Sequence, residues 1–386
     1  MSMMPPDLGS NGVRPPGRKS MDAVLAPSVN QLFVYGGDQQ PFTMALPAPR
    51  QFVADLWSYD WASGQWSMVA TGVPSGPRGQ YAAAFDSKRN RVLYFGGRKG
   101  STATPPLTNE VWSYDVAAKS WAQLMPTGTA PVARVGHRMV YDAAGDRLLM
   151  LGGDKADSFN GSDMLADLWQ LGFAASADGA WMQITATGGP SARRDQALAL
   201  DDAHKRLVVF GGASDFTTYQ NDVLVFDLTA GSWKNSNTGS NPPTPRFAMK
   251  MEYDATRDRF VIFGGHDPAN LGLLNDLWTL QLDAGGDNAT FAAVLSGDTD
   301  LSIAGVDHNS PERREKHGLA RVGDLLFLYG GGGDCGPLDD TWLLDLTNPT
   351  MWMTRESAMI GETCYRRATG SQQCSSDVSM ECVAPF

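Results

Sequence analysis

Six times in 386 residues a strongly apolar run stops at two glycines: QLFVYGG at Gly36-Gly37, RVLYFGG at Gly96-Gly97, RLLMLGG at Gly152-Gly153, RLVVFGG at Gly211-Gly212, RFVIFGG at Gly264-Gly265 and LLFLYGG at Gly330-Gly331. The copies lie 60, 56, 59, 53 and 66 residues apart. Self-similarity at such a period marks a fold assembled from repeated units, none of which can bury its apolar faces alone.

Each copy carries four beats. A proline-containing link with an arginine leads into a first strand. A turn follows, DSKRNR from Asp86, DAAGDR from Asp142, DDAHKR from Asp201 and DATRDR from Asp254. Asp, Asn and Gly at such positions bond their own backbone or accept left-handed geometry, which predicts tight hairpins. The second strand is the apolar one and ends in Gly-Gly. An acid or amide then opens a third, in ADLWSYD, NEVWSYD, ADLWQLG, NDVLVFD, NDLWTLQ and DDTWLLD. A fourth strand is marked by Trp66, Trp121, Trp181, Trp233 and Trp352, with Phe291 standing in for tryptophan in the fifth copy. Windows with a 3.6-residue period are scarce while glycine (42) and proline (23) are abundant, so helix should be minor.

Four short antiparallel strands per repeat describe one blade of a radial array, and six blades close a ring. The tryptophans supply flat surfaces for packing blade on blade, each hiding about 150–250 Å². The pattern resembles the kelch-repeat family of β-propellers, within the galactose-oxidase-like propeller superfamily, over residues 15 to 357. The expected fold is all-β, a six-bladed propeller with blades near 15–70, 71–126, 127–186, 187–239, 240–297 and 298–357. Residues 1–14 form an N-terminal tail and 358–386 a cysteine-containing extension. The first blade has its own first strand and the last its own fourth, so closure falls either to blade-on-blade packing or to a strand added by the tail. The resemblance further implies that the first strands line a central channel. Ligands would then bind at the mouth formed by the loops after Gly-Gly and the links into each first strand.

Each of those links carries an arginine in register: Arg18, Arg78, Arg134, Arg193, Arg246 and Arg314. As a guanidinium ring around the channel they would suit a carboxylate or sulfate by bidentate pairing. Equally, each could pair with the acid that opens a third strand, Asp55, Glu110, Asp167, Asp222, Asp276 or Asp340. A feature needed by every blade belongs to the fold before it belongs to a ligand, which favours the second reading.

Individual function should sit where the repeats differ. The loops after Gly-Gly carry Arg50, Arg98, Lys99, Asp154, Lys155, Phe159, Phe216, Tyr219, His266 and Asp267, an aromatic and charged mixture suited to a protein segment or a glycan. His137 and His317 share one repeat position with Met21, Tyr81, Gln196 and Met249, a packing position more than a ligand set. No metal site, cofactor or complete catalytic set is expected. Galactose-oxidase-like enzymes need a copper site with a cysteine crosslinked to tyrosine, and no cysteine precedes Cys335. The iron-binding pattern of nitrile-specifier-like proteins is not found. GGGDCG fits G-x-G-x-x-G formally, but a strand follows it where a dinucleotide site needs a helix. The sequence thus favours a non-catalytic interaction scaffold. The alternative is an enzyme acting on a small anionic sugar or acid in the channel, similar to sialic-acid epimerases.

A formal charge of -11 argues against nucleic acid, and no run reaches the roughly 18 to 20 apolar residues of a membrane helix. Cys335, Cys364, Cys374 and Cys382 all fall in the last 52 residues, as in a disulfide-stapled extension. With two N-x-S/T sequons, at Asn160 and Asn288, they favour an extracellular or secreted setting, as a module of a larger assembly, over a cytoplasmic one.

Overall fold

The computed structural model describes residues 13–40, 50–100, 102, 105–269, 272–298, 310–334 and 336–353, with the backbone alone of 354–356, 364–366 and 372–374. Among the described residues six four-stranded antiparallel sheets follow one another along the chain, each formed from one continuous segment; in the second, the short strand Arg98–Lys99 intervenes and pairs with Arg78–Gly79. Blade 4 is representative: Ala197–Asp201, Arg206–Ala213, Tyr219–Asp227 and Ser232–Ser236 run from the axis outward. The first strands of neighbouring blades touch all the way round, including the last against the first, so the propeller is closed. Among the described residues helix is confined to two short turns, Pro27–Val29 and Gly161–Asp163, and no helix is long and apolar enough to cross a membrane.

The hairpin turns form for the reason the sequence suggests. Asp86 accepts from the amides of Lys88 and Arg89, and Asn90 turns left-handed at φ 52°. The arginine that opens the second strand then ties back, Arg91 to Asp86 at 2.9 Å, Arg147 to Asp142 at 2.9 Å, Arg206 to Asp201 at 2.6 Å and Arg259 to Asp254 at 3.2 Å. The fourth-strand aromatics occupy one register: Trp66 faces Tyr59, Trp121 Tyr114, Trp181 Leu171, Trp233 Phe226 and Trp352 Leu344. Phe291 faces Leu280 at the same place and packs on Phe210 of the preceding blade, ring centroids 5.4 Å apart.

One expectation needs correction. The second strand ends at the glycine pair in blades 1 and 2, but in blades 3 to 6 it continues through the pair, to Asp154, Ala213, Asp267 and Gly333. The ladder shifts register there, so Gly-Gly is a bulge inside the strand. Whether the strand bulges there or ends, the second glycine's N–H is released from its own sheet and reaches the next blade. Gly37, Gly97, Gly153, Gly212 and Gly265 donate to the carbonyls of Arg78, Arg134, Arg193, Arg246 and Arg314 at 2.8–3.0 Å. Gly331 donates to Arg18 at 2.9 Å and completes the circle. Only glycine permits that approach: a Cβ on Gly36, at φ +59°, would stand 2.4 Å from the Arg78 carbonyl oxygen.

Closure is therefore blade-on-blade among the described residues, with no strand crossing between the first and last sheets. Trp66, fully buried, donates to Thr341 at 3.0 Å and packs against Phe327 and Tyr329. Residues 1–12, which include most of the tail, lie outside the described residues, as do Cys335 and Cys382. Cys364 and Cys374 stand opposite one another in a two-stranded ladder.

Candidate functional site

The six link arginines stand where the blades meet the channel. Each is buried, 2% exposed or less. Arg18 meets Asp55 through two bonds of 2.7 and 2.9 Å, and Arg134, Arg193, Arg246 and Arg314 meet Asp167, Asp222, Asp276 and Asp340 in the same bidentate way. Arg78 pairs with Glu110, and every arginine also donates to the carbonyl of the first glycine of its own pair. The acid accepts in addition from the tryptophan two residues on, as Asp167 does from Trp169 at 2.6 Å, except in blade 4, where that residue is Leu224. Burial alone would push Asp55 and Asp167 up, but the arginine bonds and charge outweigh it and hold both below the usual carboxylate range. Each of these guanidinium groups is thus paired with an acid of its own blade, and Arg78 alone among them keeps a buried Nε without an acceptor.

Two residues after each arginine the chain turns left-handed in all six blades, at Ser20, Gln80, Gly136, Asp195, Ala248 and Lys316, with φ between 52° and 65°. Five of the six are not glycine, although an L-residue resists this conformation by about 1–2 kcal/mol. Five backbone bonds link the six in series, from Gly136 round to Gln80: Asp195 N–H to Gly136, Ala248 to Asp195, Lys316 to Ala248, Ser20 to Lys316 and Gln80 to Ser20, at 2.7–3.0 Å. This collar lines the channel, and Arg194 and Phe247 stand directly beside it in the chain.

At the mouth the chain builds two adjoining surfaces. The first begins with Asp154, which is fully buried and caps its own loop, accepting from the amides of Ala156, Asp157, Ser158 and Phe159 at 2.8–3.0 Å. Asp157 and Phe159 are thereby held left-handed, at φ 56° and 53°, which aims the Phe159 ring over the collar. Arg194 lies 4.1 Å from the centre of that ring and bonds Asp154, Asp157 and Asp195 at 3.1, 2.7 and 2.9 Å. Arg98 reaches Asp157 at 2.8 Å, and Arg50 reaches Asp38 at 3.5 Å and Asp157 at 3.8 Å. Burial pushes the Asp157 carboxyl up, but the Arg194 and Arg98 charges and bonds bring it down to about 2.

The second surface is an aromatic ladder. Phe216 stacks on Phe159 at 5.4 Å, Phe159 meets Phe247 edge-on at 5.9 Å, and Phe247 stacks on both Tyr219 at 5.5 Å and His266 at 5.1 Å. Ala213 and Ala248 form its floor. Phe216, at the outer end, is 66% exposed, a large apolar face turned to solvent on a rigid frame. His266 ends the row against Glu315 at 3.2 Å. Burial raises the Glu315 carboxyl, but Lys316 and the bond with His266 pull it well below its ordinary range.

Of the loop residues picked out by sequence, Arg50, Arg98, Asp154, Phe159, Phe216, Tyr219 and His266 converge here. Lys99 turns aside to Glu110 at 2.9 Å, Lys155 lies near Asp163 at 3.8 Å, and Asp267 is buried, accepting from the Ala269 amide. Sequence reasoning missed Asp38, Asp157, Arg194 and Phe247. The last two follow the shared link arginine directly, where the six blades read Lys19, Gly79, Val135, Arg194, Phe247 and Glu315. That scatter beside an invariant neighbour was the available signal.

The remaining candidates resolve into structure. His137 and His317 are fully buried and stand edge-on to Phe95 and Phe263, each at 5.3 Å. Burial drives both toward the neutral form, His137 to about 3. At the opposite end of the sheets, Asp201, His204 and Asp258 come close enough to share an ion. In the same place Arg89 joins Asp86 to Asp146 and Arg257 joins Asp254 to Asp324, so His204 occupies the bridging position of an inter-blade clasp.

The chain matches the family model of the KLHDC2/KLHL20/DRC7 Kelch-repeats domain over residues 6–200 and 143–357. It is 28% identical over 269 residues to acyl-CoA-binding domain-containing protein 4 of Arabidopsis thaliana, covering 66% of this chain and 36% of that protein. It is 24% identical over 333 residues to the leucine-zipper-like transcriptional regulator 1 homolog of Drosophila melanogaster, covering 82% and 30%. To the dynein alpha chain of the flagellar outer arm of Chlamydomonas reinhardtii it is 32% identical over 174 residues, covering 43% and 4%. The chain thus spans about a third or less of the length of these relatives.

Proposed function

The chain belongs to the Kelch-repeat family, a family of protein-interaction scaffolds, and on that premise we propose that its loop-bearing mouth holds a segment of a partner protein. The observation that carries this reading is the ladder Phe216–Phe159–Phe247–Tyr219/His266 beside the Arg50–Asp157–Arg98–Arg194 network. Aromatic rings held in advance by a capped loop cost little entropy on binding, and a charged rim fixes register. A partner segment would lay an apolar side chain against Phe216 and Phe159 and its polar backbone toward the rim. The small share of its relatives' length that the chain covers favours a module within a larger assembly.

Selection of a random peptide library on the immobilised protein tests this. Peptides should be enriched by the wild type and lost when Phe159 and Phe216 are both changed to alanine. Enrichment undiminished by that double change would overturn the proposal, and capture from a glycan array but not from the peptide library would assign the ladder to sugar rings instead.

A further inference from the structure

Below the collar, and independent of what the mouth binds, the channel holds charges that the repeat does not require. Four residues after the link arginine the six blades place Asp22, Ala82, Arg138, Ala197, Lys250 and Gly318. Three blades keep the position small; blades 1, 3 and 5 point charged groups into the axis. They line a cavity of about 100 Å³ together with Glu252 and the apolar Met139 and Met251. Arg138 and Lys250 also line a smaller cavity of about 20 Å³ on the collar side, beside Ser20, Gln80, Asp195 and Lys316.

The charges do not balance within the cavity. Both oxygens of Asp22 are engaged, one by Lys250 Nζ and the other by the Ala83 amide at 2.9 Å. Arg138 spends its Nε on the Gln196 carbonyl at 2.9 Å, and its Nη2 is buried with no acceptor. A buried guanidinium N–H without an acceptor is costly, and natural sites seldom leave one. Glu252 does not supply the missing charge in full, because burial lifts it to about 7 despite the nearby Lys250 and Arg321.

We propose that this section of the channel binds one small inorganic monoanion, a halide or an oxyanion of nitrate size, against Arg138 Nη2 and Lys250. A cavity needs only about 10–15 Å³ of such space to hold one water, so about 100 Å³ admits a small ion together with water. The ion lends Arg138 an acceptor and couples blade 3 to blade 5 across the axis. Asp22 from blade 1 and Glu252 from blade 5 face the site, and the charges acting on Glu252 are Lys250 beside it, Arg321 of blade 6 and Asp22. As pH rises through about 7, ionisation of Glu252 adds a like charge and the anion should bind more weakly.

Bromide is the probe. An anomalous difference map of crystals grown in sodium bromide should show one peak in the cavity. Urea unfolding in bromide, against gluconate at equal ionic strength, should show saturable stabilisation. The folded-to-unfolded ratio should rise about a hundredfold at a hundred times Kd, and Arg138→Met should abolish the difference. A map with waters alone, or bromide stabilisation surviving in Arg138→Met, would overturn the assignment. Should that variant not fold, the wild-type map decides alone.

Discussion

The amide of Gly331 in the last blade donates to the carbonyl of Arg18 in the first at 2.9 Å, the bond that also joins every other neighbouring pair of blades. The two ends of the chain therefore close through the same contact as its middle. A Cβ at Gly331, at φ +110°, would lie 2.8 Å from the Cβ of His317 and 2.9 Å from the Glu315 carbonyl oxygen. Gly331→Ala combines backbone strain with overpacking and should cost about 3 kcal/mol. Urea unfolding measures the loss, and hydrogen exchange should place it first at the seam between the end blades.

The arginine–acid pairs make a different prediction. Arg134 is fully buried while Asp167 keeps some access to water, and the guanidinium also holds the Gly152 carbonyl at 3.0 Å. Arg134→Ala leaves a carboxylate and a carbonyl without their donor and should destabilise by about 3–5 kcal/mol. Arg134→Lys should recover little, since an ammonium cannot span the two carboxylate oxygens and the carbonyl together. The double change Arg134→Met with Asp167→Leu should be milder than Arg134→Ala, because no charge is left unpaired. Chemical denaturation of the three variants checks the order.

Asp157 gives the mouth an acid limit. Its folded value of about 2 lies below the ordinary 3.8, so it contributes stability that is complete above pH about 4 and is lost as pH falls toward 2. The contribution is about 2 kcal/mol, held through Arg194 and Arg98. Asp157→Asn should remove it at neutral pH and flatten that part of the acid-unfolding curve. A curve of unchanged shape would show that the network does not stabilise the loop that carries Phe159.

Much of this was legible because repetition averages out local accident. Gly-Gly, the acid before the third strand and the fourth-strand tryptophan recur in register, and each names a contact that every blade must make. The pairing of Arg18 with Asp55 and its five equivalents could be anticipated from that one-per-blade count. The glycine bulge could not, because a strand that bends and a strand that ends look alike when both show two glycines after an apolar run. Arg194 and Phe247 were obscured by their place in a shared link, and Asp22, Arg138 and Lys250 by spacing: they meet across an axis that only ring closure creates. The pairing of Lys99 with Glu110 was hidden likewise, because the two lie eleven residues apart at opposite ends of one loop.

The central claim is that the ladder, and Phe216 above all, is where a partner is held. Phe216 is 66% exposed and packs only at the outer end of the row, so Phe216→Ala should leave the unfolding midpoint nearly unchanged. The decisive measurement is the Kd of a peptide selected on the wild-type protein, by fluorescence polarisation, on wild type and Phe216→Ala. Phe216→Ala should weaken binding about tenfold or more, as for an aromatic anchor at an interface. Equal affinity for the two proteins, with both folded, would contradict it.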